Sequence, residues 1–297
     1  MIEVRGLAKI YRGGVTALSD VDLNIGNGMF GLLGENGAGK TTLMRVLAGL
    51  LRPSTGTVHV FGNDMSTLKG KQAAKALLGY LPQDLGLYPN LNAREFLDYV
   101  AILKGIGQRR DREAQIDQLL EVVRLTDVAN RKIKTYSGGM KRRVGIAQAL
   151  LGDPKIIVVD EPTTGLDPEE RVRLRNFLGD LARRCVVILS THIIEDISAS
   201  CNQLAVLSHG RVIFTGAPSD LIRAARGKVW MLQTTESILD QGFSVVTTLQ
   251  LADAVQYRVL GEATTQQFSD AVAVEPSLED GYIWLMKQAR DAKLSSS

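Results

Sequence analysis

Gly34-Glu35-Asn36-Gly37-Ala38-Gly39-Lys40-Thr41-Thr42 fits the phosphate-binding pattern G-x-x-x-x-G-K-[ST] at every fixed position. Before it stands Met29-Phe30-Gly31-Leu32-Leu33, a short apolar run with strand character. After it comes Leu43-Met44-Arg45-Val46-Leu47-Ala48-Gly49-Leu50, with helical character and a stop at Pro53. Strand, glycine loop and helix together predict a loop whose backbone N–H groups converge on phosphate oxygens, aided by the positive end of the helix. Lys40 is expected to reach the β- and γ-phosphates and Thr41 to offer its hydroxyl to Mg²⁺. The chain is therefore expected to bind a nucleoside triphosphate.

Working outward, 297 residues suffice for one large domain or two unequal ones, and 45% hydrophobic with 23% charged residues is ordinary for a globular protein. A net charge of +3 suits an anionic ligand or a membrane-surface neighbour and does not point to nucleic acid. Cys185 and Cys201 form no metal-type pair and no disulfide framework, which predicts a reduced setting. No apolar run approaches the roughly 18 residues needed to span a bilayer, and the N-terminus lacks a signal peptide's apolar core. Work at a membrane would then need another chain.

Ile2-Glu3-Val4-Arg5 and Val21-Asp22-Leu23-Asn24-Ile25 alternate as strands around a Gly13-Gly14 turn. Tyr11, beside Lys9 and Arg12, is either a half-exposed strand aromatic or a stacking platform for a nucleobase. Residues 56–62 form a strand, and residues 76–83 run to a strand end at Pro82 followed by Gln83, a neutral amide able to touch a metal-bound water and a phosphate. Residues 95–103 and 112–123 carry apolar residues at helical spacing, a helical insert in an α/β sheet. Ser137 before Gly138 and Gly139 caps the next helix and presents bare N–H groups, a second anion site or a plain cap.

Lys155-Ile156-Ile157-Val158-Val159-Asp160-Glu161-Pro162 reads as a buried parallel strand ending in two carboxylates, at the edge where open α/β sheets bind ligands. Alternation along the strand separates their tasks: Asp160 for Mg²⁺, Glu161 as the base that polarises the attacking water. A further buried strand, residues 185–190, leads to His192, a candidate γ-phosphate contact or charge-stabilising donor. Residues 203–207 and 211–215 are short strands. After about residue 220 no nucleotide chemistry is visible; strands at 228–232, 244–247 and 257–260 and a helix at 276–287 predict a small α+β appendage, with the terminal serines frayed.

In this order the motifs resemble the ATP-binding cassette (ABC) ATPases, over roughly residues 1–220. The resemblance implies an α/β P-loop NTPase fold with a helical subdomain at about 84–152 and an accessory domain at 221–297. It implies that Tyr11 stacks adenine, that the loop holding Gly34, Glu35, Asn36, Gly37, Ala38, Gly39, Lys40, Thr41 and Thr42 binds ATP, and that Gln83 is the Q-loop glutamine. Tyr136-Ser137-Gly138-Gly139-Met140 is similar to the signature motif, Asp160 and Glu161 to the Walker B pair, Asp167 to the D-loop aspartate and His192 to the switch histidine. Tyr136 and Met140 replace the more usual Leu and Gln. That variant, and Pro276-Ser277-Leu278-Glu279-Asp280, are similar to subunits of bacterial multidrug, antibiotic and sodium exporters.

The family's two cassettes pack head to tail, so Ser137, Gly138 and Gly139 are implied to cap ATP held by a second copy. The implied whole is an ATP-hydrolysing exporter subunit on the cytoplasmic face of the cell membrane, docked to a separate transmembrane permease, with ATP and Mg²⁺ and without nucleic acid. The alternative is a soluble ABC ATPase of translation, DNA or cofactor assembly.

Overall fold

The computed structural model describes residues 1–234, 244–261 and 271–294. It divides into two compact units, Met1–Thr215 and Gly216–Ser297, so the break falls ahead of residue 220. The terminal serines lie outside the described residues.

The first unit opens with antiparallel β1 (Ile2–Ile10) and β2 (Thr16–Ile25), both longer than the sequence alternation suggests. Next come β3 (Met29–Leu33), α1 (Lys40–Leu47), β4 (Thr55–Val60), β5 (Asn63–Asp64), α2 (Leu68–Ala76) and β6 (Leu78–Leu81). The sequence reading has no helix at α2. Its hydrophobic signature is faint because only Gly70 and Ala74 are buried, and Thr67 caps it by accepting from Gly70 N at 3.0 Å. β2, β1, β4 and β5 make an antiparallel sheet.

The helical part holds α3 (Ala93–Leu103), α4 (Arg109–Val122) and α5 (Gly138–Leu150). Asn92 and Glu95 start α3 with a reciprocal capping box, each side chain accepting from the other's backbone N–H at 2.9 Å. Then follow β7 (Ile156–Asp160), α6 (Pro168–Leu181), β8 (Val186–Thr191), α7 (Ile194–Ser198), β9 (Gln203–Ser208) and β10 (Arg211–Gly216).

The second sheet of this unit has the order β10-β9-β3-β8-β7-β6. β3, β7 and β8 are buried at every residue, which is why they read as unbroken apolar runs. β8 lies between β3 and β7 and pairs in parallel with both, setting Leu33 opposite Thr191 and Asp160 opposite Ser190. Three loops far apart in sequence therefore leave the same edge side by side. Leu43, Met44 and Leu47 of α1 pack with Val58, Ile156, Val158 and Ile188 into the core beneath.

The second unit contains α8 (Pro218–Ala224), β11 (Val229–Thr234), β12 (Ser244–Gln250), β13 (Val255–Leu260), β14 (Val272–Ala273) and α9 (Leu278–Leu294). Its antiparallel sheet runs β12-β13-β11-β14. α9 approaches α8 closely at Gly281, where a Cβ would lie 2.4 Å from Leu221 O. The Pro276-Ser277-Leu278-Glu279-Asp280 segment has a structural task here. Asp280, fully buried, accepts from Arg258 Nε at 2.9 Å and Nη2 at 2.7 Å, and from Ser277 N at 2.6 Å.

Burial would raise the Asp280 pKa, but the bonds from Arg258 and Ser277 outweigh it and hold the carboxyl below its usual range. Its stabilisation is thus present at neutral pH and is lost as pH falls below the ordinary carboxylate value. Both tryptophans, Trp230 and Trp284, belong to this unit. Asp280→Asn is expected to cost about 2–4 kcal/mol, the penalty of stranding one partner of a buried pair discounted for Arg258's partial exposure. Denaturant unfolding followed by tryptophan fluorescence measures it, and an unchanged midpoint would refute the assignment.

Candidate nucleotide site

Residues 34–39 join β3 to α1 at the sheet edge. Gly39 is the helix N-cap with φ 107°, and a Cβ there would lie 2.5 Å from Ala17 O. Only glycine fits both demands. No side chain caps α1 and no acidic residue occupies its first turn, so the helix supplies no capping group or counter-charge of its own to its positive pole. Lys40 is buried; its Nζ donates to Gly34 O at 2.7 Å and Glu35 O at 3.2 Å, and lies 3.3 Å from Glu161 Oε1.

Asp160 closes β7. Its Oδ1 accepts from Ser190 Oγ at 2.5 Å and from Thr41 Oγ1 at 3.5 Å. Its Oδ2 is buried without a hydrogen-bond partner. Burial raises the Asp160 pKa against the pull of Ser190 and Thr41. A buried carboxylate oxygen with no donor, beside a threonine hydroxyl, fits a hard divalent cation. Among the described residues no three His, Cys, Asp or Glu side chains converge to hold a metal by themselves. One carboxylate, Asp160, with the Thr41 hydroxyl fits Mg²⁺, which takes one or two carboxylates and completes its shell with phosphate and water.

Glu161 is not the next residue of a strand. Its φ of 49° puts it in the left-handed region, with its N–H donating to Ser190 O at 3.0 Å. The two carboxylates diverge because of this turn, which corrects the expectation from strand alternation. Glu161 Oε2 sits 2.7 Å from His192 Nδ1 and accepts from Thr164 Oγ1 at 3.3 Å. Neighbouring β3, β7 and β8 thus bring Lys40, Glu161 and His192 into one chain of contacts.

The second candidate anion site lies on α5. Ser137 is its N-cap and accepts from Met140 N at 3.2 Å, while Tyr136 is buried and donates to Val128 O at 2.6 Å. Among the described residues, no hydrogen bond joins Ser137, Gly138 or Gly139 to residues 34–42.

Comparison with known proteins agrees with this arrangement. A protein-family model described as ABC transporter matches residues 18–164. The chain is 41% identical over 217 residues to the ABC transporter ATP-binding protein NatA of Bacillus subtilis, covering 72% of this chain and 87% of that one. It is 34% identical to the linearmycin resistance ATP-binding protein LnrL of the same bacterium, covering 82% and 78%. The methionine import ATP-binding protein MetN of Streptomyces avermitilis is 37% identical, covering 75% of this chain and 68% of that one. Among solved structures, a dimeric ATP-binding cassette in a post-hydrolysis state with ADP and Pi superposes with a TM-score of 0.68 at 27% identity, covering 73% and 98%. The chain belongs to the ABC transporter ATP-binding proteins.

It is an ATPase cassette with the family's P-loop NTPase fold. Among the described residues of the cassette, no helix is long and apolar enough to cross a membrane. Tyr11 stands at the rim, with its hydroxyl 3.3 Å from Thr42 Oγ1 and Lys9 Nζ 5.5 Å above its ring. Asp167 caps α6, accepting from Glu170 N at 2.9 Å. Gln83 is exposed, and its described bond is made by the backbone: its carbonyl accepts from Arg142 at 3.1 Å. The structure does not bring the Gln83 side chain against Asp160 or Glu161. Sequence reasoning passed over Ser190 and Thr164, which hold the two carboxylates. Ser190's place at the end of a buried strand was the available sign.

Proposed function

We propose that the chain powers an exporter by binding and hydrolysing ATP as a head-to-tail pair of identical cassettes. One observation carries the pairing. The edge with Lys40, Asp160, Glu161 and His192 and the capped start of α5 are two candidate anion sites of one chain, and among the described residues each is held by its own partners. Each finds its complement on a second copy, where Ser137, Gly138 and Gly139 close over the other chain's ATP and Asp167 lies at the seam. The solved dimeric cassette of similar fold supports this reading.

In the proposed reaction Lys40 and the first N–H groups of α1 hold the phosphates, and Tyr11 stacks on the base. Thr41 and Asp160 would hold Mg²⁺, which when bound would supply charge neutralisation on the phosphates. Glu161 accepts a proton from water as its oxygen attacks the γ-phosphorus, and the bond to the departing ADP oxygen breaks. His192 orients Glu161 through Nδ1 and, when protonated, donates to the transferring phosphoryl group with its other nitrogen. Closure of the pair on ATP and release after hydrolysis drive the coupled membrane chains, a population shift set by ATP's preference for the closed state.

The permease surface we assign to the helical part. Tyr88, Tyr99, Ile102 and Leu103 are exposed together on and beside α3, with Tyr88 and Tyr99 packed edge to face at 5.7 Å between ring centroids. Export, and placement on the cytoplasmic membrane face, rest on the Met140-bearing signature and on the likeness to exporter subunits. The test is fractionation of cells expressing the chain and an Ile102→Asp/Leu103→Asp variant. The chain is expected with a multi-span membrane protein in the membrane fraction, and the variant in the soluble fraction with ATPase activity retained. Co-sedimentation with ribosomes and not membranes would overturn the transport reading.

A further inference from the structure

Glu161 and His192 meet at 2.7 Å although they belong to loops after different strands, and Glu161 adopts a left-handed conformation that a non-glycine residue holds only when its surroundings enforce it. Asp196, on α7, reaches both loops. It is fully buried, and its Oδ2 accepts from Thr163 Oγ1 at 2.7 Å and from Thr191 Oγ1 at 3.4 Å. Thr163 stands two residues beyond Glu161, across Pro162. Thr191 stands immediately before His192 and also accepts from Ile193 N at 2.9 Å, so it grips the chain on both sides of the histidine. Both threonines are themselves buried.

The second oxygen, Oδ1, has no hydrogen-bond partner and lies 3.8 Å from Arg175 Nη1 on α6. A buried carboxylate with one bare oxygen costs stability that an apolar residue would not. Its return is geometric. One oxygen atom is the common acceptor for the Glu161 loop and the His192 loop, and the Arg175 guanidinium supplies the counter-charge.

We propose that Asp196 is a positioning residue for ATP hydrolysis, holding Glu161 and His192 at their mutual distance through Thr163 and Thr191. This rests on the reading of Glu161 as base and His192 as its partner. Asp196 touches neither ATP nor water in this role, so its loss is expected in turnover and not in nucleotide binding.

The experiment compares Asp196→Ala, Thr163→Val and the double variant, with Glu161→Gln as reference, in the full chain. Thr163→Val keeps shape and removes only the hydroxyl, so it remains informative where Asp196→Ala folds poorly. Each single variant is expected to lower kcat about 10- to 100-fold with MgATP affinity within about twofold, the pattern of lost orientation. The double variant should be no slower than the worse single, because both break one contact. Unchanged kcat, independent multiplying losses, or a fall in MgATP affinity that tracks kcat would each overturn the proposal. If Glu161→Gln turns over normally, the base assignment fails. If Glu161→Gln is inactive and the Asp196 and Thr163 variants are normal, the positioning proposal alone fails.

Discussion

Glu161→Gln is expected to lower ATP turnover by about 10²–10⁴-fold, the range for losing a general base, while MgATP stays bound. The expectation follows from how little else the substitution changes. The Glu161 side chain is 6% exposed, and its oxygens meet Lys40 Nζ at 3.3 Å and His192 Nδ1 at 2.7 Å. Glutamine has the same shape and keeps a carbonyl for one of these partners, but it cannot take a proton from water. Binding depends on the glycine loop and the start of α1, which do not include this carboxylate. The variant should therefore accumulate as an ATP-bound pair, visible by size exclusion with MgATP, while phosphate release nearly stops. Unaltered phosphate release would sink the catalytic assignment. Loss of nucleotide binding would show that Glu161 builds the loop and does not act on water.

Lys40→Ala should weaken MgATP binding by about 30-fold or more, the lower end of the cost of truncating one side of a buried charge-assisted contact. Lys40 is the cation buried beneath the loop, where its Nζ meets Gly34 O, Glu35 O and Glu161 Oε1. Alanine removes the charge that phosphate oxygens would meet and leaves Glu161 facing two carbonyls. The effect should fall on affinity and turnover together, which separates this variant from Glu161→Gln. Equilibrium binding of a fluorescent ATP analogue measures it, and normal nucleotide affinity would refute the assignment of the loop.

These two residues were nameable from the sequence because their neighbours in the chain carry the pattern. The glycines that bring backbone N–H groups together stand beside Lys40, and the apolar run of β7 ends at Asp160 and Glu161. The same local logic made β3, β7 and β8 readable, since strands buried on both faces leave unbroken apolar runs. It failed at α2, where only Gly70 and Ala74 bury and no amphipathic stripe develops. It also ascribed the divergence of Asp160 and Glu161 to strand alternation, where a left-handed turn produces it.

By itself, then, the sequence determined the family, the sheet-and-loop character of the first unit and the residues able to meet a triphosphate, because each is encoded in short-range spacing. Only the tertiary structure decided that Ser190 holds Asp160, that Asp196 joins the Glu161 and His192 loops, and that Asp280 pairs with Arg258 inside the second unit. Those contacts join residues separated by 5 to 33 positions, most of them on different elements. Their partners are selected by sheet order and burial, which no local pattern of residues records.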